Sequence, residues 1–432
     1  MISKLKNIRL NPWQNLIVSF LLLITLGAFL LEMPWILRNE NLSFIDSLFI
    51  STSAVCVTGL TTINISDFNI FGELTLLILM QLGAIGIMTL STTFILAIKG
   101  NINLKQKINF IKTQSNNSLH DVNHVLRFIL RITFISEFFG AILLSIGFYL
   151  QGFSILGAIH YGIFHAISAF CNAGFSPFDN SLIGMNNLIK YTIILLIIIG
   201  GIGYYVIYEL YNKFKTKKKL SLHSKIVLIS TVSLIIIGTV FIYFLGSNNI
   251  SITDSLFQSV TARTAGFNTV KLKDLHYLSL FFIVFLMFIG ASPGSTGGGI
   301  KTTTFFIVFI SIINILKGET TIKVFKRQIS NSMILKSFAV LSSYFAIIFI
   351  GTLLLLYHTS YGFFNTMFEV TSAMGTVGLS VGVTSELENY GKLIIILIMF
   401  IGRIGPASIA MITFSKKNQI KLKIKYPEEA IY

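Results

Sequence analysis

The sequence predicts an all-α polytopic membrane protein with four membrane–pore–membrane repeats, in which eight spanning helices and four re-entrant pore helices surround one pseudo-fourfold pore. Three observations support this fold class. The chain of 432 residues is 53% hydrophobic and only 12% charged, with a mean hydropathy of +0.78, values typical of membrane proteins. Apolar runs such as residues 16–31, 226–245 and 345–356 recur along its whole length. A nine-residue motif with one shared glycine occurs four times.

The basic residues are clustered. Of the 33 lysines and arginines, 23 fall in five stretches, which alternate with acidic or neutral stretches: 1–10, 99–127, 213–225, 317–327 and 415–425. By the positive-inside rule, we expect these stretches and both termini on the cytoplasmic side of the cell (inner) membrane. The formal charge of +16 therefore marks topology and does not indicate nucleic-acid binding. Contact with anionic membrane lipid is an alternative interpretation of the lysines in 213–219.

The repeated motif organises the chain. Its copies are residues 53–61 (SAVCVTGLT), 168–176 (SAFCNAGFS), 260–268 (VTARTAGFN) and 372–380 (SAMGTVGLS). Aligned without gaps, they share Gly59, Gly174, Gly266 and Gly378, each followed by Leu or Phe and then a small polar residue. Helix-packing glycines are the alternative interpretation, since these are common in membrane helices.

Each copy has the same surroundings: a long apolar segment, a short segment, the motif and a second long segment. The segments are 13–37, 44–56 and 71–99 in the first unit, 124–150, 155–171 and 188–211 in the second, 224–245, 253–263 and 277–316 in the third, and 335–357, 362–375 and 391–414 in the fourth. Long segments reach the ~20 residues that span a bilayer, whereas the short ones must dip in and return. The predicted repeats are 1–100, 101–215, 216–317 and 318–415, with a cytoplasmic tail over 416–432.

Four glycines at one fixed place are what a cation filter of backbone carbonyls requires. Such a filter replaces the hydration shell of the ion with carbonyl oxygens from four strands. Glycine adopts positive φ without steric cost and so lets successive carbonyls turn towards one axis. The predicted filter residues, which would bind potassium, are Val57, Thr58, Gly59, Leu60, Asn172, Ala173, Gly174, Phe175, Thr264, Ala265, Gly266, Phe267, Thr376, Val377, Gly378 and Leu379.

The third inner segment carries a glycine-rich interruption. Residues 290–304 contain one proline and five glycines, which predicts a broken helix with a loop at membrane depth. A phosphate-binding P-loop is disfavoured because Ile300 separates the last glycine from Lys301. The other inner segments carry glycines at the corresponding place (Gly83, Gly200 and Gly402), for which close helix packing and a hinge are both open.

Arg403 is the charged residue that most needs an explanation. It follows Gly402 in a mostly apolar segment, where a charge is costly and marks a pathway or a partner. The scattered histidines and two cysteines form no catalytic or metal-binding motif, so we expect no enzyme, no cofactor and no metal other than the transported ion.

These motifs together resemble the Trk/Ktr/HKT superfamily of potassium transporters, and the length and eight crossings are most similar to its Ktr-type membrane subunits. The resemblance implies potassium uptake and a filter at the residues given above. In this superfamily a serine in place of the first filter glycine goes with sodium selectivity, so the glycine at position 59 implies a preference for potassium. The resemblance also implies an intramembrane gate at residues 290–304 that faces Arg403, a homodimer, and a cytoplasmic ring of nucleotide-binding regulatory subunits. The corresponding gate residues are Gly290, Gly294, Gly297, Gly298, Gly299, Lys301 and Arg403.

Two other functions remain open from the sequence. One is a sodium-coupled potassium symporter or a sodium transporter of the same fold, in which sodium would act as the coupling or activating ion. The other is an intramembrane enzyme or a non-transporting scaffold, which no motif in the sequence supports.

Overall fold

The computed structural model describes residues 12–38, 42–86, 122–217, 219–246, 250–319 and 321–406. The first basic stretch (1–10), residues 99–121 of the second, the last (415–425) and the predicted tail (416–432) lie outside the described residues.

Within the described residues, four helices, one at the start of each unit, are long and apolar enough to cross a membrane. They are α1 (Pro12–Leu31), α4 (Val122–Leu150), α8 (Leu222–Leu245) and α12 (Asn331–Tyr357). Their outward faces expose large apolar side chains such as Leu22, Phe138, Phe241 and Phe349. Such surfaces are unfavourable in water and suit a lipid environment.

Four short helices follow the long ones and lie deep in the molecule. They are α2 (Phe44–Cys56), α5 (Ile155–Cys171), α9 (Ile252–Thr261) and α13 (Phe363–Gly375). The side-chain oxygens of Ser43, Ser154 and Ser251 cap the first three by accepting backbone N–H groups of the first turn. With 10–17 residues, all four are too short to span a bilayer.

The inner helices, α3 (Ile70–Ile85), α6 (Asn187–Ile202), α10 (Tyr277–Phe288) and α14 (Asn389–Ile404), pack around the short ones. The sequence predicts an interruption only in the third, but the others also end early, at Gly86, Gly203 and Gly405. These glycines have φ of 83°, 99° and 85°, a conformation that ends a helix and favours glycine. Beyond Gly203 the chain continues as α7 (Tyr204–Thr216), at 96° to α6.

The glycines three residues before these helix ends have a different role. A Cβ added to Gly83, Gly200 or Gly402 would lie 2.1, 2.0 or 2.2 Å from a backbone carbonyl oxygen of the short helix in the same unit. The backbone of the inner helix therefore touches the backbone of the short helix. Of the two roles that the sequence leaves open for these glycines, a hinge and close helix packing, the contacts favour packing.

The third unit differs by a true loop. Between α10 and α11 (Thr302–Leu316) the chain runs through the Gly-rich loop, residues 289–301, whose ends are joined by a hydrogen bond from Gly290 N to Ile300 O (2.9 Å). The predicted helix break is therefore present. A small hairpin of β1 (Lys323–Val324) and β2 (Arg327–Gln328) then leads to α12.

Charged pairs join neighbouring units at one level. Lys190 on α6 binds Asp254 on α9 at 2.6 Å, and Lys392 on α14 binds Asp46 on α2 at 2.6 Å. Between the first and second units the corresponding pair is Glu73 with His160 (2.5 Å). In each case a residue near the start of an inner helix holds the short helix of the next unit, so the fourth unit returns to the first and the arrangement closes.

Candidate functional site: a ring of four glycine segments

The four motif glycines form a closed ring at the centre of the molecule. A Cβ added to any of them would lie against the carbonyl oxygen of the residue that precedes the glycine in the next unit. The pairs are Gly59 with Ala173 (2.4 Å), Gly174 with Ala265 (2.2 Å), Gly266 with Val377 (2.4 Å) and Gly378 with Thr58 (2.2 Å). The order one to two to three to four to one makes the ring pseudo-fourfold, and no side chain fits between its members.

Backbone conformation explains why these residue types stand here. The ring glycines have φ between 73° and 97°, and the residue two places before each also has positive φ. Those residues are Val57 (57°), Asn172 (60°), Thr264 (86°) and Thr376 (49°). Positive φ is costly for side chains other than glycine and persists only when its surroundings impose it. The sixteen residues predicted from the sequence are thus brought together, as four segments of like conformation.

Hydroxyl groups at the ends of the short helices hold the segments. In the first and fourth units Gly59 N and Gly378 N donate to Ser53 Oγ (3.0 Å) and Ser372 Oγ (3.1 Å). In the second and third, Ser168 Oγ and Thr261 Oγ1 donate to the carbonyl oxygens of Phe175 (2.8 Å) and Phe267 (2.9 Å).

The role of Thr261 corrects the ungapped alignment of the motif. That alignment pairs Ser53 with Val260, whereas the structure puts Thr261 in the equivalent place. The reason is the helix end: α9 stops at Thr261 with Ala262 in right-handed conformation, while α2, α5 and α13 end in a left-handed residue. The third unit therefore has four residues between its hydroxyl residue, Thr261, and its ring glycine, whereas each of the other units has five.

A cavity of about 570 Å³ lies against one side of the ring. All four glycines contribute to its wall, together with polar residues of the loops that follow the segments. Asp179 and Asp274 bring negative charge to this cavity, and Lys271 and Lys273 bring positive charge. A hydrated ion has room in this volume directly beside the ring.

The Gly-rich loop lies against the other side. A Cβ on Gly297 would lie 2.3 Å from Thr264 Oγ1, and one on Gly298 would lie 2.4 Å from Thr376 Oγ1. Gly298 N donates to Thr376 Oγ1 at 3.0 Å. The loop therefore touches the first residues of two segments, and only glycine fits at these contacts.

The second unit holds the loop at its far side. Ser292 N and Thr296 N donate to the carbonyl oxygens of Gly201 (3.0 Å) and Gly200 (3.2 Å), near the end of α6. Tyr204 N, just after the bend at Gly203, donates to Gly294 O at 2.9 Å. Sequence reasoning missed Ser292, Thr296 and Tyr204, although their nearness to predicted glycines was a usable signal.

Two cations complete the surroundings of the loop. Arg403 Nη1 donates to Thr296 O, and its Nη2 donates to the carbonyl oxygen of Gly83 at 2.5 Å. Lys301 Nζ donates to Gly297 O at 2.8 Å. The predicted gate residues thus occupy one region, with the guanidinium of the fourth unit between the loop of the third and the inner helix of the first.

Comparison with known proteins decides the family. A model of the family TrkH, described as cation transport protein, matches residues 8–422. The chain belongs to the TrkH family. This is a family of transporters and not of enzymes, as the sequence predicts, and its members are multi-pass membrane proteins.

Curated relatives match over nearly the whole length. The potassium/sodium uptake protein NtpJ of Enterococcus hirae is 34% identical, over 98% of this chain and 97% of that protein. The Ktr system potassium uptake protein B of Bacillus subtilis is 36% identical, over 99% of this chain and 98% of the relative. That of Vibrio alginolyticus is 34% identical, over 96% and 93%. The predicted family resemblance is confirmed.

The fold also has a solved counterpart within the TrkH family. The crystal structure of the potassium transporter TrkH from Vibrio parahaemolyticus superposes with a TM-score of 0.73. The superposition covers 95% of this chain and 86% of the Vibrio parahaemolyticus chain, and the two sequences are 18% identical. The likeness supports a helical membrane transporter fold for this chain.

Proposed function

We propose that this TrkH-family protein takes up potassium across the cell (inner) membrane and that the four glycine segments are its selectivity filter. The single observation that carries the proposal is the closed ring, in which each glycine meets the carbonyl oxygen of the next unit. Backbone carbonyls of four like segments can replace the hydration shell of a potassium ion. The potassium uptake that the names of full-length relatives state supports the same ion.

The Gly-rich loop with Lys301 and Arg403 is proposed as the gate. It lies against Thr264 and Thr376, whereas the cavity is lined by the ring glycines and the residues that follow them, so the loop is placed where it would block an ion that had passed the glycines. Its backbone is held by hydrogen bonds with the second and the fourth units and not by a helix of its own. A change in the bonds with Gly200, Gly201, Tyr204 and Arg403 would move the loop while leaving the contacts between the ring glycines intact.

The helices and charges support a membrane arrangement with eight crossings. In this proposal the four long helices each cross the bilayer and each of the four inner segments crosses it once, so that the four predicted repeats make eight crossings. The short helices re-enter without crossing. The basic stretches then face the cytoplasm together with both termini.

Partners are proposed from the family resemblance. They are a second copy of the chain, membrane lipid, and a cytoplasmic ring of nucleotide-binding regulatory subunits acting on the gate. Two of the relatives are named as components of a Ktr system, which fits a multi-subunit assembly.

Sodium transport or sodium-coupled potassium transport is the second candidate. One relative is named a potassium/sodium uptake protein. The segments are also chemically unequal, with Asn172 and Ala173 where the fourth unit has Thr376 and Val377. A filter of unequal strands is expected to discriminate less strictly than one of four identical strands.

Two measurements test the proposal. Expression in a cell that lacks its own potassium uptake should restore growth at low potassium, whereas an equally abundant Gly59→Ser variant should restore it less. In proteoliposomes held at a fixed negative membrane potential, potassium influx should continue when sodium is removed. No rescue by the wild-type chain would refute potassium uptake, and influx that stops without sodium would establish the symporter instead.

A further inference from the structure

Behind the ring, each of the four short helices has a buried phenylalanine at the same position. The residue that follows this phenylalanine is different in each helix. The phenylalanines, all fully buried, are Phe49, Phe164, Phe257 and Phe368. The next residues in the chain are Ile50, His165, Gln258 and Glu369. The one-residue offset of the third unit places Gln258 level with the others. Two of these four side chains reach the chain just beyond the ring glycine of their own unit.

Glu369 makes the most extensive of these contacts. Its Oε1 accepts hydrogen bonds from Ser380 Oγ (2.5 Å), Val381 N (3.0 Å) and Val383 N (3.2 Å). Its Oε2 accepts one from Thr384 Oγ1 (2.8 Å). The carboxyl group is fully buried, and all four partners are donors. One side chain therefore fixes residues two to six places beyond Gly378 with respect to the short helix.

His165 makes one bond of the same kind. Its Nε2 lies 3.0 Å from Ser176 Oγ, and Ser176 stands two places after Gly174 as Ser380 does after Gly378. Its Nδ1 lies 2.8 Å from the carbonyl oxygen of Tyr161, which can only accept. In the neutral imidazole Nε2 then accepts from the serine hydroxyl. The second segment is thus held at one point where the fourth is held at four.

The other two units have no such bond. Ile50 is apolar and offers no polar atom. Gln258 is fully buried, and within the described part of the chain neither its Oε1 nor its Nε2 has a hydrogen-bond partner. The same holds for Oδ1 of Asn268, the residue two places after Gly266. Support behind the ring is therefore graded, from four bonds in the fourth unit to one in the second and none in the first and third.

We infer that Glu369 is a positioning residue that sets the selectivity of the ring, by fixing the outer end of the fourth segment and its turn. The inference rests on the proposed function, since it concerns ion choice in the same filter. Selectivity depends on how many carbonyl dipoles face the ion and how far they can move. Bonds to a carboxylate are about twice as strong as neutral ones, so the fourth segment is the least free to adjust to a smaller ion.

The test compares Glu369→Gln and Glu369→Ala in the full-length protein in proteoliposomes, with the potassium-to-sodium influx ratio as readout. Glutamine keeps one carbonyl acceptor for the three donors at Oε1, so the ratio should fall only modestly. Alanine removes all four bonds, and the ratio should fall by about tenfold or more, the change expected for loss of a charge-assisted hydrogen bond. The matched control is Glu137→Gln, because Glu137 is a buried acidic side chain on α4 that accepts its hydrogen bonds from Gln81 Nε2, and this variant should leave the ratio unchanged.

A milder variant covers the case in which alanine prevents folding. Thr384→Val keeps the side-chain volume and removes only the donor to Oε2, so it should lower the ratio by a smaller factor. Unchanged ratios in Glu369→Gln and Thr384→Val, at normal wild-type potassium influx, would overturn the inference and leave the proposed function standing. Absence of potassium influx in the wild type would overturn the proposed function itself.

Discussion

Arg403 Nη2 donates to the carbonyl oxygen of Gly83 at 2.5 Å, and so ties the last inner helix of the chain to the end of the first. The other terminal nitrogen of the same guanidinium donates to Thr296 O in the Gly-rich loop. Three units thus meet at one side chain. A planar group with several fixed donors can hold two backbone carbonyls at once, which a lysine ammonium does less well.

Replacement of Arg403 should release the loop. Arg403→Ala removes the bond to Thr296, and the open probability of the gate should rise by about tenfold, the effect of one or two lost charged hydrogen bonds. Potassium leak from loaded proteoliposomes measures this. Arg327→Ala, in the exposed hairpin, is the matched control and should not leak. Equal leak from both variants would remove Arg403 from the gate.

Shortening the Gly-rich loop should also open the gate, as the replacement of Arg403 should. Deletion of Gly297, Gly298 and Gly299 removes the contacts with Thr264 and Thr376. Influx should rise while the potassium-to-sodium ratio stays as in the wild type, because the ring is unchanged. A deletion that alters the ratio but not the influx would place these glycines in the filter and not in a gate.

Substitution by alanine, which adds one methyl group, distinguishes glycines that are needed for close packing from glycines that are not. In Gly83→Ala the new Cβ would lie 2.1 Å from the carbonyl oxygen of Val55, and a helix backbone cannot move aside cheaply. We expect destabilisation of about 1–3 kcal/mol, measured as a lower Tm in detergent. Gly362→Ala is the control, since nothing lies within 4 Å of its added Cβ and its φ is ordinary. A Tm of Gly83→Ala that matches this control would contradict the close packing.

The pair Lys392–Asp46 should couple the fourth unit to the first. Burial raises the pKa of Asp46, but hydrogen bonds from Lys392 and Ser43 outweigh it and hold the pKa below its ordinary value. The stabilisation is therefore present above an unfolded-state pKa of about 3.9 and is lost as the pH falls through the lower folded value.

A double-mutant cycle of Lys392→Ala and Asp46→Ala at pH 7 should give a coupling of about 0.5–3 kcal/mol. The coupling should vanish in strong acid, where the carboxyl group is protonated. Lys323→Ala, on the exposed face of β1, serves as control with Asp46→Ala and should show no coupling. A coupling that is absent at pH 7 would show that the pair does not stabilise the contact between the fourth unit and the first.

Much of the local structure could be predicted because it depends on short-range signals. Helix α2 has the bounds that the sequence indicates, since an apolar stretch follows a serine cap and ends before a residue of positive φ. The helix break at residues 290–304 was equally readable from its glycines and proline. The helix ends at Gly86, Gly203 and Gly405 were not, because a single glycine costs a helix only about 1 kcal/mol and tertiary contacts decide its conformation.

Features of the site that depend on tertiary contacts could not be predicted from the sequence. Nothing around Glu369 indicates that it would accept four bonds from residues 380–384, and nothing around Arg403 names Gly83 or Thr296 as partners. The register of the third short helix was mistaken because glycines alone were aligned. Alignment on the buried phenylalanines, Phe257 with Phe49, would have revealed the missing residue.

Ion selectivity of a serine variant in the ring is a direct test of the selectivity filter. In Gly378→Ser the new Cβ would lie 2.2 Å from Thr58 O, at a φ of 92° that disfavours any side chain. The control is Gly152→Ser, at a glycine that also has positive φ (99°) but has nothing within 4 Å of an added Cβ. Both are compared in proteoliposomes at equal protein amount. A fall in the potassium-to-sodium influx ratio for Gly378→Ser alone is the predicted result; a ratio equal to that of the wild type would contradict the filter.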